Sequence, residues 1–246
     1  VLVHSINAAA SAAEVRPLYL HYRATRTVYA PDLPGYGLSD RSKRAYSPRL
    51  YTDTLHALAD AVHARSGRGP IDALAVSLGS EFLARAASEH PADWGKLALV
   101  SPTGLMGRSA RRGPAGSVRG FPALHRQLAR PAIGPRLFRA LTRPGVIRYF
   151  LGRTWGSKAI DEELWAYDVL ATRAPGAEHA PLHFLAGLLF SADIHTVYEA
   201  LTQPVWMSHG TRGDFTDYRG RALLANGARW QVSVYEAGAL PYFEHT

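Results

Sequence analysis

The segment Ile71-Asp72-Ala73-Leu74-Ala75-Val76-Ser77-Leu78-Gly79-Ser80-Glu81-Phe82 changes character at Ser77. Up to Val76 it is a short apolar run of the length and composition of a buried strand. Beyond it, Phe82, Leu83, Ala86 and Ala87 recur at the spacing of one helix face. A serine on such a turn is forced into a strained backbone conformation, and its hydroxyl stands clear above the sheet. The turn demands small residues two before and two after the serine; Ala75 and Gly79 meet that demand, and Ser80 is small as well. Read alone, the same pattern also fits an ordinary serine capping a helix after a strand.

Working outward, short apolar runs alternate with longer helical patterns, the signature of a parallel sheet with helical crossovers. Strands are expected at residues 1–3, 27–31, 71–76, 97–100, 205–208 and 230–235. Ser47-Pro48 opens a helix, with serine as cap and proline at the first helical position. From about 105 to 200 the strand rhythm stops and helical pieces punctuated by proline and glycine take over. An α/β domain is therefore expected over residues 1–104 and 201–246, with a helical cap over 105–200. Val1, not Met, opens the chain inside an apolar run, and both ends are expected to be incomplete.

Further segments carry a family likeness. Asp32-Leu33-Pro34-Gly35-Tyr36-Gly37-Leu38-Ser39-Asp40 follows a strand and resembles the Asp-x-Pro-Gly-x-Gly-x-Ser-Asp loop of the α/β-hydrolases. His4-Ser5-Ile6-Asn7 resembles their His-Gly-x segment, and Gly238-Ala239-Leu240-Pro241 their terminal Gly-His-x-Pro. The order of these pieces is also the family's order, and the likeness covers essentially the whole chain. It implies the α/β-hydrolase fold, a mostly parallel sheet with helices on both faces, esterase- or lipase-like. It further implies that Ser77 is the nucleophile and that the N–H groups of Ile6 and Leu78 form an oxyanion hole. Ser5 stands where the family has glycine, which would allow the first donor to shift by one residue. His209-Gly210-Thr211-Arg212-Gly213-Asp214 resembles the turn that ends in the triad aspartate, so Asp214 is the expected acid, with Asp217 its rival.

Ala239 stands where the family's general base belongs. A serine hydroxyl is a poor nucleophile without a group to take its proton, and alanine cannot do so. Among the other histidines, His183 and His195 are the candidate substitute bases, because a cap faces the serine; His179, His209 and His245 are weaker. Three explanations stay open: a branch of the family using another base or a non-hydrolytic reaction, a silent binding protein on the same scaffold, or deliberate replacement to trap a substrate.

Composition narrows the rest. The absence of cysteine among 246 residues excludes disulfides and thiolate chemistry. No apolar run approaches the roughly 20 residues that cross a bilayer, and no signal peptide is visible, so a cytoplasmic protein without stable membrane insertion is expected. The net charge of +8 is mostly arginine, and ten arginines with no acidic residue fall between Arg108 and Arg148. Such a stretch attracts anionic partners or simply solvates a surface. No recognition motif accompanies it, so nucleic acid is not an expected partner. No cofactor or metal is implied. The expected function is hydrolysis of a small ester, amide or related acyl compound, with anionic substrates among the candidates. Cap aromatics such as Phe121, Phe138, Trp155, Trp165 and Phe184 are candidates for the pocket lining, and most of them suit the core of the cap equally well. The alternative is a catalytically silent or non-hydrolytic ligand-binding protein. Oligomeric state is not legible.

Overall fold

The computed structural model describes residues 1–67, 69–213 and 217–245. Five strands, β1 (Leu2–Val3), β2 (Ile71–Val76), β3 (Trp94–Val100), β4 (Val205–Gly210) and β5 (Gln231–Tyr235), form one sheet in that spatial order, every pair parallel. Residues 27–31, expected as a strand, lie beside β1 but are tied to it by one ladder bond, Leu2 N–H to Tyr29 O at 2.8 Å. With only two residues in β1, there is too little backbone to pair a further strand.

Strand residues alternate between two apolar clusters. Val3, Ala73, Ala75, Leu97, Leu99, Val205 and Met207 face one way, while Leu2, Leu74, Val76 and Val100 face the other. Both faces of the inner strands are buried, which explains why 73–76 and 97–100 read as continuous apolar runs, whereas the edge strand β5 alternates and stays partly exposed. The first face is covered by α2 (Pro48–Ser66) and α3 (Gly79–Glu89), through Tyr51, Leu55, Phe82 and Leu83. Each such side chain, fully withdrawn from water, contributes about 1.5–3 kcal/mol. Ser47 caps α2 by accepting the Leu50 N–H at 3.3 Å, worth about 1 kcal/mol. The second face is covered by Val15, Trp155, Leu164, Leu240 and Tyr242. Val15 directly precedes α1 (Arg16–Tyr22), a helix that the sequence pattern did not bring out.

Between β3 and β4 the described residues form six helices: α4 (Pro122–Leu128), α5 (Gly134–Leu141), α6 (Pro144–Trp155), α7 (Glu162–Ala171), α8 (His179–Leu185) and α9 (Ile194–Glu199). The two ends of this insertion are stitched together by an isolated bridge between Val118 and Ser191. No helix among the described residues is long and apolar enough to cross a membrane.

Candidate active site

Ser77 occupies the turn between β2 and α3 with φ of +51°, a left-handed conformation that non-glycine residues rarely take. Its N–H continues the ladder to Val100 O at 2.8 Å, and its carbonyl accepts the Ser80 N–H at 3.1 Å. The backbone is therefore held from both sides while the hydroxyl makes no hydrogen bond among the described residues. The smallness of Gly79 has a specific cause: a Cβ there would fall 2.5 Å from the carbonyl oxygen of His4 at the end of β1. The crowding comes from the neighbouring strand, not only from the strand and helix joined by the turn.

The segment after β1 is tightly organised. His4 is wholly buried; Nε2 accepts the Leu33 N–H at 2.9 Å, so Nδ1 carries the proton and donates to Ser5 O at 2.5 Å. Burial pushes the pKa of this imidazole down, in keeping with its neutral role. The buried Glu14 carboxylate accepts from Ser5 N–H and Ser5 Oγ–H, each at 2.8 Å, and from the Asn7 amide at 2.9 Å. Ser5 N–H is thus spent, and Ile6 N–H and Leu78 N–H have no acceptor among the described residues. Asp32 holds the next loop by accepting Ala12 N–H at 2.7 Å and Leu38 N–H at 2.8 Å. Gly37, at φ of +50°, lies so close beneath that carboxylate that any Cβ would overlap it.

These pieces meet in a cavity of about 330 Å³ lined by Ile6, Ser77, Leu78 and Ala239 together. Ala239 is pinned by its backbone: its N–H donates to Thr154 O of α6 at 2.7 Å, and its carbonyl accepts Ser101 Oγ–H at 2.6 Å. The turn after β4 runs alongside, with Arg212 N–H donating to Ala237 O at 2.9 Å, and Gly213 lines the same cavity. Asp214 lies outside the described residues. Asp217 lines a neighbouring groove instead. There its carboxylate accepts Gly107 N–H at 2.9 Å and pairs with the Arg219 guanidinium, which together hold its pKa down at about 2.

Among the described residues no histidine lines the Ser77 cavity. His183 faces a separate groove, donates Nδ1–H to His179 O at 2.9 Å and packs against His125 with ring centroids 3.8 Å apart and the rings tilted by 37°. His195 is fully buried between Arg111 N–H (3.0 Å to Nδ1) and Gly220 O (3.2 Å from Nε2), so both ring nitrogens are occupied. His209 stacks on Tyr218 and lines the neighbouring groove. The expected aromatic lining also needs correction. Phe184 lines the cavity, but Phe138 and Trp155 are buried in packing, and Phe121 is exposed. Trp165 donates Nε1–H to Pro144 O near the surface. Phe190, which no pattern singled out, takes their place. Of the ten clustered arginines, Arg119 alone lines the cavity. Others bond outward, Arg148 to Glu162 and Arg112 to Glu199, or fold back on their own helical turns, as Arg136 does to Ala132 O at 2.6 Å.

The family model of the alpha/beta hydrolase fold matches residues 1–154. The chain belongs to the α/β-hydrolase fold family. Solved structures agree in fold at low identity. The 2-hydroxy-6-oxo-6-phenylhexa-2,4-dienoate hydrolase of Rhodococcus sp. strain RHA1 is 19% identical with a TM-score of 0.72, over 99% of this chain and 84% of that one. The meta-cleavage product hydrolase of Pseudomonas fluorescens IP01, solved with acetates, is 16% identical with a TM-score of 0.68, over 99% and 84%. The N-formylmaleamic acid deformylase of Pseudomonas putida S16 is 19% identical with a TM-score of 0.64, over 98% and 86%. In this α/β-hydrolase, Glu14, Ser101 and the Glu81–Arg119 pair are the site elements that motif reading missed. Ser101 with Ala239 and Glu81 with Arg119 join residues far apart in the chain, and no local spacing announces the bonds of Glu14 to Ser5 and Asn7.

Proposed function

We propose that the protein is a serine hydrolase or close relative acting on a small ester, amide or related acyl compound, bound in the cavity over Ser77 and covered by residues 105–200. The observation that carries this reading is the left-handed Ser77, whose hydroxyl shares a cavity with two peptide N–H groups, none of the three having a hydrogen-bond partner among the described residues. In this reading Ser77 Oγ attacks the acyl carbon, and Ile6 and Leu78 N–H receive the developing oxyanion. Two preorganised donors of that kind contribute several kcal/mol to lowering the barrier. Asp214 is the acid that would orient a base, and position 239 is where that base would stand. With alanine there, the hydroxyl proton leaves to water, and turnover is slow. The solved relatives named for a dienoate and for formylmaleamic acid act on organic acids, which supports an acidic substrate here.

A fluorophosphonate probe tests the reading. Labelling that disappears in Ser77→Ala supports it; wild-type protein that resists labelling at high probe concentration removes it. The second reading, a ligand-binding protein without hydrolysis, is favoured by one observation, that no histidine lines the cavity. It wins if the probe fails while small acyl compounds bind in the cleft.

A further inference from the structure

Three charged side chains among the described residues line the Ser77 cavity: Glu14, Arg119 and Arg212. Glu14 has its oxygens committed to Ser5 and Asn7. Arg212 is 42% exposed and bonded to Glu244, so water screens it. Arg119 differs. Its side chain is 24% exposed, and Nη2 donates to Glu81 Oε1 at 3.0 Å. Its guanidinium carbon lies 4.6 Å from the ring centroid of Phe190, another residue of the cavity wall. Its Nε is buried with no acceptor.

Glu81 is what holds this cation in place. It is completely buried in the first turn of α3, and it also accepts Thr103 Oγ1–H at 2.5 Å and Ser191 N–H at 2.8 Å. The two ends of the inserted region meet at this carboxylate, since Arg119 N–H bonds Phe190 O at 2.9 Å. Glu81 takes one N–H of the guanidinium, at Nη2. Arginine carries five donors in a rigid fork, so the remaining N–H groups exceed what Glu81 can accept.

We infer that Arg119 is the anchor for a carboxylate on the ligand, so that the cavity takes a short acid whose acyl carbon lies at Ser77. The inference rests on the reading of this cleft as an acyl site and names its substrate class. A fork of fixed donors matches a carboxylate's two oxygens better than it matches a neutral carbonyl. Glu81 lies one helical turn beyond Ser77, so the anchored charge is close to the serine and the acid must be short. A cavity of about 330 Å³ is at the small end of ligand sites and agrees with that size.

Binding of monomethyl glutarate and of dimethyl glutarate to the Ser77→Ala protein, measured by titration calorimetry, tests this without any need for catalysis. The anion is expected to bind roughly tenfold or more tightly than the diester, the order expected of a charge-assisted pair in a partly desolvated site. That preference should disappear in Arg119→Gln. Because Arg119→Gln strands the buried Glu81, the double variant Glu81→Gln with Arg119→Gln is the companion, checked for folding by circular dichroism. Equal binding of acid and diester, or a preference that survives in the folded double variant, overturns the anchor. Fluorophosphonate labelling of wild type separates the two ideas. Labelling without an acid preference leaves the hydrolase reading standing and removes the anchor; an Arg119-dependent preference without labelling does the reverse.

Discussion

The two walls of the cleft differ in completeness. On the side of β1 and β2, Ser77 is strained and held, Ile6 and Leu78 present free N–H groups, and Glu14 ties down the segment that carries Ile6. On the side of β4 and β5, Ala239 is positioned just as firmly, by Thr154 and Ser101, yet brings no chemistry. The backbone at position 239 is held as firmly as the serine turn, although its side chain offers no base. Scaffolding of this kind serves substrate binding as well as catalysis, so it persists whichever of the two the protein performs.

The largest expected effect comes from filling the poorer wall. Ala239→His should raise fluorophosphonate labelling and ester hydrolysis by about 10²–10⁴-fold, the usual contribution of a general base. The gain should vanish in an Asp214→Ala background, because the acid sets the imidazole tautomer. A histidine variant that gains nothing over an already brisk wild type would mean that another base operates.

The next prediction concerns a cost borne beside the richer wall. Asp168, on α7 near Glu14, is buried, its Oδ1 has no hydrogen-bond partner among the described residues, and burial, with the Glu14 charge, raises its pKa to about 9. The folded chain therefore keeps a proton that the unfolded chain releases near pH 4. Stability should fall as pH rises from about 4 to about 9, by at most about 1.4 kcal/mol per unit, and level off beyond. Asp168→Asn should flatten this slope in denaturant titrations between pH 5 and 8; an unchanged slope would place the ionisation elsewhere.

Gly79→Ala should destabilise by about 1–3 kcal/mol, the range for overpacking, because the new methyl meets His4 O. It should also slow labelling, since the same contact joins β1 to the serine turn. The mildest change is Glu14→Gln, which keeps the shape but turns an amide N–H₂ toward the Ser5 or Asn7 donors. It should cost about 1 kcal/mol and slow labelling several-fold. Slower labelling with unchanged stability would show that Glu14 acts mainly on the position of Ile6.

Much of the frame was legible because its signals are local. The run of residues 71–76, the Ser47-Pro48 helix start and the helical character of the long insertion all depend on neighbours within a few positions. The 27–31 strand was overread, because a β-rich composition says nothing about whether a partner is long enough to pair with it. The aromatics of the insertion were overread for a related reason. Spacing identifies an apolar face but not which cavity or core it turns toward, and so Phe190 was missed while Trp155 was expected.

By itself, the sequence determined the order of the motifs, the serine turn and the absence of an imidazole at position 239, all of which are properties of residues in line. Only the tertiary structure decided that Ser5 N–H is spent on Glu14 while Ile6 N–H is free, and that His183 and His195 sit away from the serine. It also decided that one arginine of ten enters the cleft. The physical reason is that hydrogen-bond partners and burial are set by contacts such as Glu81 with Arg119 and Ser101 with Ala239. Those contacts join residues 38 and 138 positions apart.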